Sequence, residues 1–229
     1  APGPDGISAD LLWRCPRFAA PHLFALFLKS TLGAVTPLQF RGGELFQLYK
    51  GKGPQGQITN HRSILLADCV GKIAAKANRT TAIASVSTLL TDGTSWQCGG
   101  VPGLGTEFPA LACRLLQEYA AITGQCVGLL FVDAKEAFYA VLRTLVAPIH
   151  ESDEAVAYLF KHLGLPQEAM QELRRVLQEA PIFTTIDLPQ ATVTDVASTY
   201  TATHVSMKGS TDLGIALRGT MPGHPYADI

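Results

Sequence analysis

The stretch CVGLLFVDAKEAF, Cys126 to Phe138, decides how the rest of the chain is read. Its first part, CVGLLFV, carries no charge and is rich in β-branched, aromatic and aliphatic residues, which predicts a buried strand. The Asp133 carboxylate is then expected to emerge at the strand's C-terminal end. A carboxylate buried there without a partner is costly, and a divalent cation is one partner that offsets the cost. Asp133 is also placed to cap a helix beginning at Ala134, and on these residues alone the cap is the simpler reading.

Downstream of this stretch the spacing predicts helices over Glu136 to Val146, Glu154 to Leu163 and Pro166 to Glu179. The last of these sets Met170, Leu173, Val176 and Leu177 on one face. Ile182 to Leu217 is rich in Thr and Val and predicts strands of an antiparallel sheet. Upstream, Thr106 is a good N-cap for a helix whose apolar stripe is Phe108, Leu111, Ala112, Leu115, Leu116 and Tyr119, ending at Gly124. The loop QCGGVPGLG precedes it. Gly100 to Gly105 has the outline of a phosphate-binding loop, but Thr106 stands where that motif needs Lys, and a dinucleotide fingerprint fails at Gly103.

Cys69 to Leu90 reads as a helix with Lys72, Lys76 and Arg79 along one face. Before it, Glu44 to Tyr49 and Ser63 to Ala67 are β-prone runs joined by KGKGPQGQITNH, a hairpin with a flexible basic tip. Near the start, PGPDG is a turn cluster. Ser8 caps a short helix through Leu11, Leu12 and Trp13 that ends before Pro16. A second helix has Pro21 in its first turn, places Leu23, Phe24, Phe27 and Leu28 at helical spacing, and stops at Gly33. Helices and strands mix without βαβ regularity, so the expected class is α+β, an antiparallel sheet with packed helices.

With 229 residues, 47% hydrophobic and 16% charged, the chain can bury a core as one large domain or two small ones. No apolar run approaches the roughly 20 residues that span a bilayer, and no signal peptide is visible, so the expected setting is intracellular, the nucleus included, with no membrane partner. Cys15, Cys69, Cys98, Cys113 and Cys126 form no CxxC pair and predict reduced thiols. The net charge of −1 is unevenly spread: from Lys29 to Arg79 the local balance is +6, leaving −7 elsewhere. That asymmetry suits a phosphate-facing lobe joined to an acidic one, and equally a solvated basic face.

FVDAKEAFYAV resembles the first catalytic motif of reverse transcriptases, particularly those of non-LTR retrotransposons and group II introns. Five further stretches resemble that family in its own order. APGPDGIS looks like the opening of its fingers. LYKGKG and NHRSILL with Lys72 are similar to its two fingers motifs. WQCGGVPGLGTEFPALACRLL resembles its Q-x-G segment, and RGTMPGHP its Gly-rich palm motif. The resemblance implies a polymerase right-hand fold, with residues 1–125 fingers-like and residues 126–229 an incomplete palm. It implies an RNA-directed DNA polymerase working on a primed RNA or DNA template with deoxynucleoside triphosphates; the oligomeric state is not read from it.

In that scheme Asp133 is the catalytic metal ligand. Lys50, Lys52 and Arg62 clamp the triphosphate, Lys50 being favoured over Lys52 because it sits at the strand end. Phe138 is the steric gate against a ribose 2′-hydroxyl, or else an ordinary core aromatic. Gly219 and Gly223 belong to the nucleotide-facing Gly-rich motif. Lys72, Arg79, Gln97, Gly99 and Gly100 face template or primer, or in the case of Gln97, Gly99 and Gly100 form a simple connecting loop.

The complete site of the family holds two Mg²⁺ ions about 3.5 to 4 Å apart. One Asp cannot hold both, and the YxDD hairpin that supplies the rest is absent before Ile229. PYADI is not that hairpin; Ala227 to Ile229 read as the start of a helix, with Asp228 in its first turn. The chain, beginning at Ala1 and ending at Ile229, reads as a fragment inactive alone. His224 and Ser63 stand where relatives carry Asp and Pro, which leaves open a decayed element whose remnant binds nucleic acid without catalysis, or a soluble α+β domain with no nucleic-acid role.

Overall fold

A computed structural model of the chain describes residues 2–33, 35–90, 97–99, 101, 103–134, 137–149, 157, 161 and 166–227. Among these the fold is α+β, with one four-stranded sheet and nine α-helices. Helix α1 (Ala9–Arg14) begins as the sequence predicts, with Ser8 Oγ accepting from Leu11 N–H at 3.2 Å. Helix α2 (Pro16–Gly33) starts earlier than Pro21 suggests. Pro16 takes the first-turn place and Pro21 sits inside the helix, where its missing N–H removes one intrahelical bond on an exposed side.

The hairpin is formed by β1 (Gly43–Tyr49) and β2 (His61–Ala67), antiparallel and in continuous register from Gly43 opposite Ala67 to Tyr49 opposite His61. Its second pair of strands comes from far along the chain. β3 (His204–Met207) lies parallel to β1, and β4 (Leu213–Ile215) antiparallel to β3, giving the order β2-β1-β3-β4. The sheet is therefore mixed and not antiparallel throughout. Two of its strands lie before residue 126 and two after it.

Helix α3 (Cys69–Leu90) leaves β2 directly and packs under the 3-10 turn Leu38–Arg41. Phe40 is buried against Gly71, where a Cβ would come within 3.0 Å of the ring. Helix α4 (Glu107–Thr123) ends at Gly124 in the left-handed conformation, φ 67°. Thr106 occupies its N-cap position, but its side chain makes no capping bond. The predicted stripe of α4 faces solvent: Phe108, Leu111, Leu115, Leu116 and Tyr119 are all exposed, and only Ala120 is buried.

Two expectations are overturned. The run Cys126 to Val132 is not a strand, and Leu130, Phe131 and Val132 are 89%, 82% and 85% exposed. An apolar run has β propensity, but it becomes a buried strand only beside a partner, and here the sheet is built from four other segments. Nor is Ile182 to Leu217 mainly strand. Helices α8 (Ile182–Thr185) and α9 (Gln190–Thr201) precede β3 and β4. Thr192, Val193, Val196, Thr199 and Tyr200 are buried at helical spacing, so packing along one face outweighs the β preference of Thr and Val.

The helix predicted after Asp133 is two short ones, α5 (Ala137–Ala140) and α6 (Arg143–Val146). Helix α7 (Gln167–Leu177) turns Met170, Leu173, Val176 and Leu177 to its half-buried side. The helix expected over Glu154 to Leu163 lies outside the described residues apart from Ala157 and Lys161. Leu65, Ala75, Ala147, Phe183, Val193, Val196, Tyr200, Met221 and Tyr226 form the core. The accessible surface is 15494 Å², against roughly 10,000 Å² expected for a compact chain of this mass. Among the described residues no helix is long and apolar enough to cross a membrane, and the five cysteines are free thiols.

Candidate functional site

The hairpin tip is braced rather than flexible. Lys50 N–H donates to Asn60 O at 2.9 Å, the Asn60 amide donates to Pro54 O at 2.8 Å, and Tyr49 Oη donates to Gly53 O at 2.5 Å. A 3-10 turn, Ile58–Asn60, closes the loop. Lys50 Nζ donates across it to Thr59 O at 3.0 Å, which fixes the ammonium beside the strand end. Lys52 and Arg62 are exposed. Arg62 pairs with Leu48 and shares the face of β2 that carries Ile64. Loop residues held this way lose less freedom on gripping an anion than a loose loop would.

Three stretches far apart in the chain meet at the free edge of β2. The Leu65 N–H donates to Pro222 O at 2.9 Å, and Tyr139 Oη donates to Ser63 O at 2.5 Å. Thr220 N–H donates to Phe138 O at 2.6 Å, and Gly219 N–H to Val141 O at 2.8 Å. The Gly-rich turn is thus seated between the hairpin and α5. Gly219 (φ 80°) and Gly223 (φ 97°) are both in the left-handed region that favours glycine. A Cβ on Gly223 would stand 2.9 Å from Leu65 O, and one on Gly219 would stand 2.8 Å from Phe138 O. Gly223→Ala is expected to cost about 2 kcal/mol in a urea melt, because backbone cannot yield to a methyl group there. An unchanged midpoint would show that the turn does not press on β2. Phe138 itself is half-exposed beside this turn.

Behind the turn lies Arg143, which the sequence did not single out. It is 2% exposed. Its Nε donates to Gly219 O at 2.8 Å, and one terminal nitrogen donates to Tyr200 O and Ala216 O, both at 2.6 Å. The guanidinium also lies 5.2 Å from the centroid of the Tyr200 ring. One side chain therefore joins α6, the last turn of α9 and the approach to the Gly-rich turn.

A second polar cluster was also missed. Asp195 Oδ1 accepts from Thr36 Oγ1 at 2.5 Å; its Oδ2 accepts from the Asn78 amide at 2.9 Å and from the Tyr226 hydroxyl. Burial pushes the Tyr226 phenol well above its ordinary range, and the Asp195 charge adds to this. His224 is buried beside it, its Nδ1 accepting from Tyr226 N–H at 3.3 Å. Burial, reinforced by Lys72 against the opposing pull of Asp195, holds the His224 pKa down at about 4. A legible signal existed: Asp195 falls between Thr192 and Thr199 on the stripe that α9 buries, an acid on an apolar helix face.

The other predicted residues are not drawn into this region. Asp133 is exposed, and Ala134 after it is not helical, which leaves the cap reading without its helix. Gln97 and Gly99 are exposed and linked locally, the Gln97 amide donating to Gly99 O at 2.8 Å; Gly100 and Asp228 lie outside the described residues. Lys72 and Arg79 are half-buried on α3. For Mg²⁺ the described donor set is incomplete. Among the described residues no three His, Cys, Asp or Glu side chains are grouped to hold a metal ion. Asp133 alone offers one open carboxylate to an ion that demands octahedral oxygen ligation.

No family model matches the sequence, and no curated protein matches it.

Proposed function

We propose that the chain is the fingers and upper palm of a retroelement RNA-directed DNA polymerase with a right-hand fold. In this reading its own residues hold substrate and do not carry out the chemistry alone. The observation that supports it is the meeting of three motif-bearing stretches, the hairpin, Phe138 with Tyr139, and Gly219 to Gly223, at one edge of β2. Arg62 and the lysines at the tip supply cations for phosphate, Arg as a fork and Lys as a point charge. The Gly-rich turn, whose glycines let it seat against Phe138 and Leu65, holds these stretches together. Phe138 would stand against the sugar and disfavour a 2′-hydroxyl.

The test is binding of a fluorescent primed RNA template across a salt series. The expected affinity falls steeply with salt, and the triple variant Lys50→Ala, Lys52→Ala, Arg62→Ala lowers the log–log slope by about 2. Unchanged binding in the triple variant would sink the reading. A second reading, a non-catalytic nucleic-acid-binding remnant, is favoured by the exposure of Asp133 and by the lack of a metal-holding group of side chains among the described residues. Salt-dependent binding that survives Asp133→Ala would select it.

A further inference from the structure

We propose that the cleft at Asp195 is a binding site for a small organic cation, an ammonium group carried on an apolar body about the size of one ring. The site is independent of any nucleic-acid role. A cavity of about 190 Å³ opens between α2, α3 and α9. Phe27 and Phe40 supply aromatic walls, and Ala74, Ala75 and Ala191 supply smooth ones. Into this largely apolar space reaches one carboxylate, and Asp195 is the only formally charged group among the described lining residues.

The hydrogen-bond inventory of that carboxylate sets the ligand's chemistry. Its two oxygens offer about four acceptor positions. Three are filled, one on Oδ1 by Thr36 and two on Oδ2 by Asn78 and Tyr226. The donors come from the 3-10 approach, α3 and the C-terminal turn, so they fix the carboxylate from three sides and leave one position on Oδ1. A carboxylate facing apolar walls favours a cation as its fourth partner. One remaining acceptor suits a single ammonium N–H and is too little for a guanidinium fork or a divalent metal. The cavity's size limits the body to a ring with a short arm.

The experiment titrates ¹⁵N-labelled chain with phenethylammonium chloride and, separately, with the neutral 2-phenylethanol. Saturable shifts are expected at the amides of Ala74, Asn78 and Ala191, with the alcohol at least about tenfold weaker because it forfeits the charge-assisted bond. Asp195→Asn is expected to lose the preference for the ammonium. Ala191→Leu, at the exposed mouth, keeps the polar cluster and the helix but fills the entrance, so it is expected to abolish the shifts without lowering the melting temperature. Ala191→Leu decides the matter even where Asp195→Asn unfolds the chain. The proposal is overturned by the lack of saturable shifts up to about 20 mM, by equal affinity for the two probes, or by binding that Ala191→Leu leaves intact.

Discussion

Replacing Arg143 by Met is expected to destabilise the chain by about 3 kcal/mol. The aliphatic stem is conserved in volume, so the loss comes from the polar end. Three carbonyls, those of Tyr200, Ala216 and Gly219, lose a charged donor in a buried place. Tyr200 is in the last turn of α9, where carbonyls have no intrahelical partner and a positive charge is favourable. Arg143→Lys can reach one or two of the three and should lie between Met and the native residue. Urea unfolding of the three proteins, followed by circular dichroism, measures this. If Met and Arg gave the same midpoint, the guanidinium would be contributing packing and nothing more.

The second large effect concerns acid. His224 is held neutral in the folded chain to about pH 4, whereas in the unfolded chain it takes up a proton near its ordinary 6.5. Above pH 6.5 both states are neutral and the residue adds no pH dependence. Between 6.5 and 4 the unfolded state binds more protons, so stability falls as pH falls, by up to about 3 kcal/mol for a difference of this size. Asp68 works the other way in the carboxylate range, because burial raises its pKa and protonation then favours the folded state. The urea midpoint of the native chain should therefore drop between pH 7 and pH 4.5, and His224→Gln should flatten most of that drop. An equal drop in the variant would assign the acid sensitivity to other groups. At the sequence level His224 was only a departure from a motif; its consequence comes from where the Gly-rich turn is folded back against α3 and α9.

The parts of the fold that the sequence made legible are those decided locally. KGKGPQGQITNH lies between two β-prone runs, and Gly, Pro and charge at a fixed place force a turn whatever the rest of the chain does. Ser8, Gly124 and the stripe of Met170, Leu173, Val176 and Leu177 are local in the same sense. Burial is not local. Val127 to Val132 has the composition of a central strand but lacks a neighbour, while the Thr- and Val-rich α9 gains its burial from the elements packed around it. The same reason hid Arg143 and Asp195. A single Arg has no spacing to betray it, the stripe that marks Asp195 is legible only once α9 is read as a helix, and each side chain acquires its partners only when residues more than 30 positions away are brought alongside.

The exposed run Val127 to Val132 carries a further consequence, which concerns how copies of the chain behave together. It is uncharged, free of proline and outside any helix or strand, and no described backbone hydrogen bond involves residues 126–134. Such a segment is a template on which identical segments can stack in register. The charge that closes it is Asp133. Stacked copies would bring their carboxylates together at strand spacing, so Asp133 acts as a gatekeeper against fibril growth, whatever else it does. Removing that charge to probe a site also removes the guard on an exposed apolar stretch of the surface.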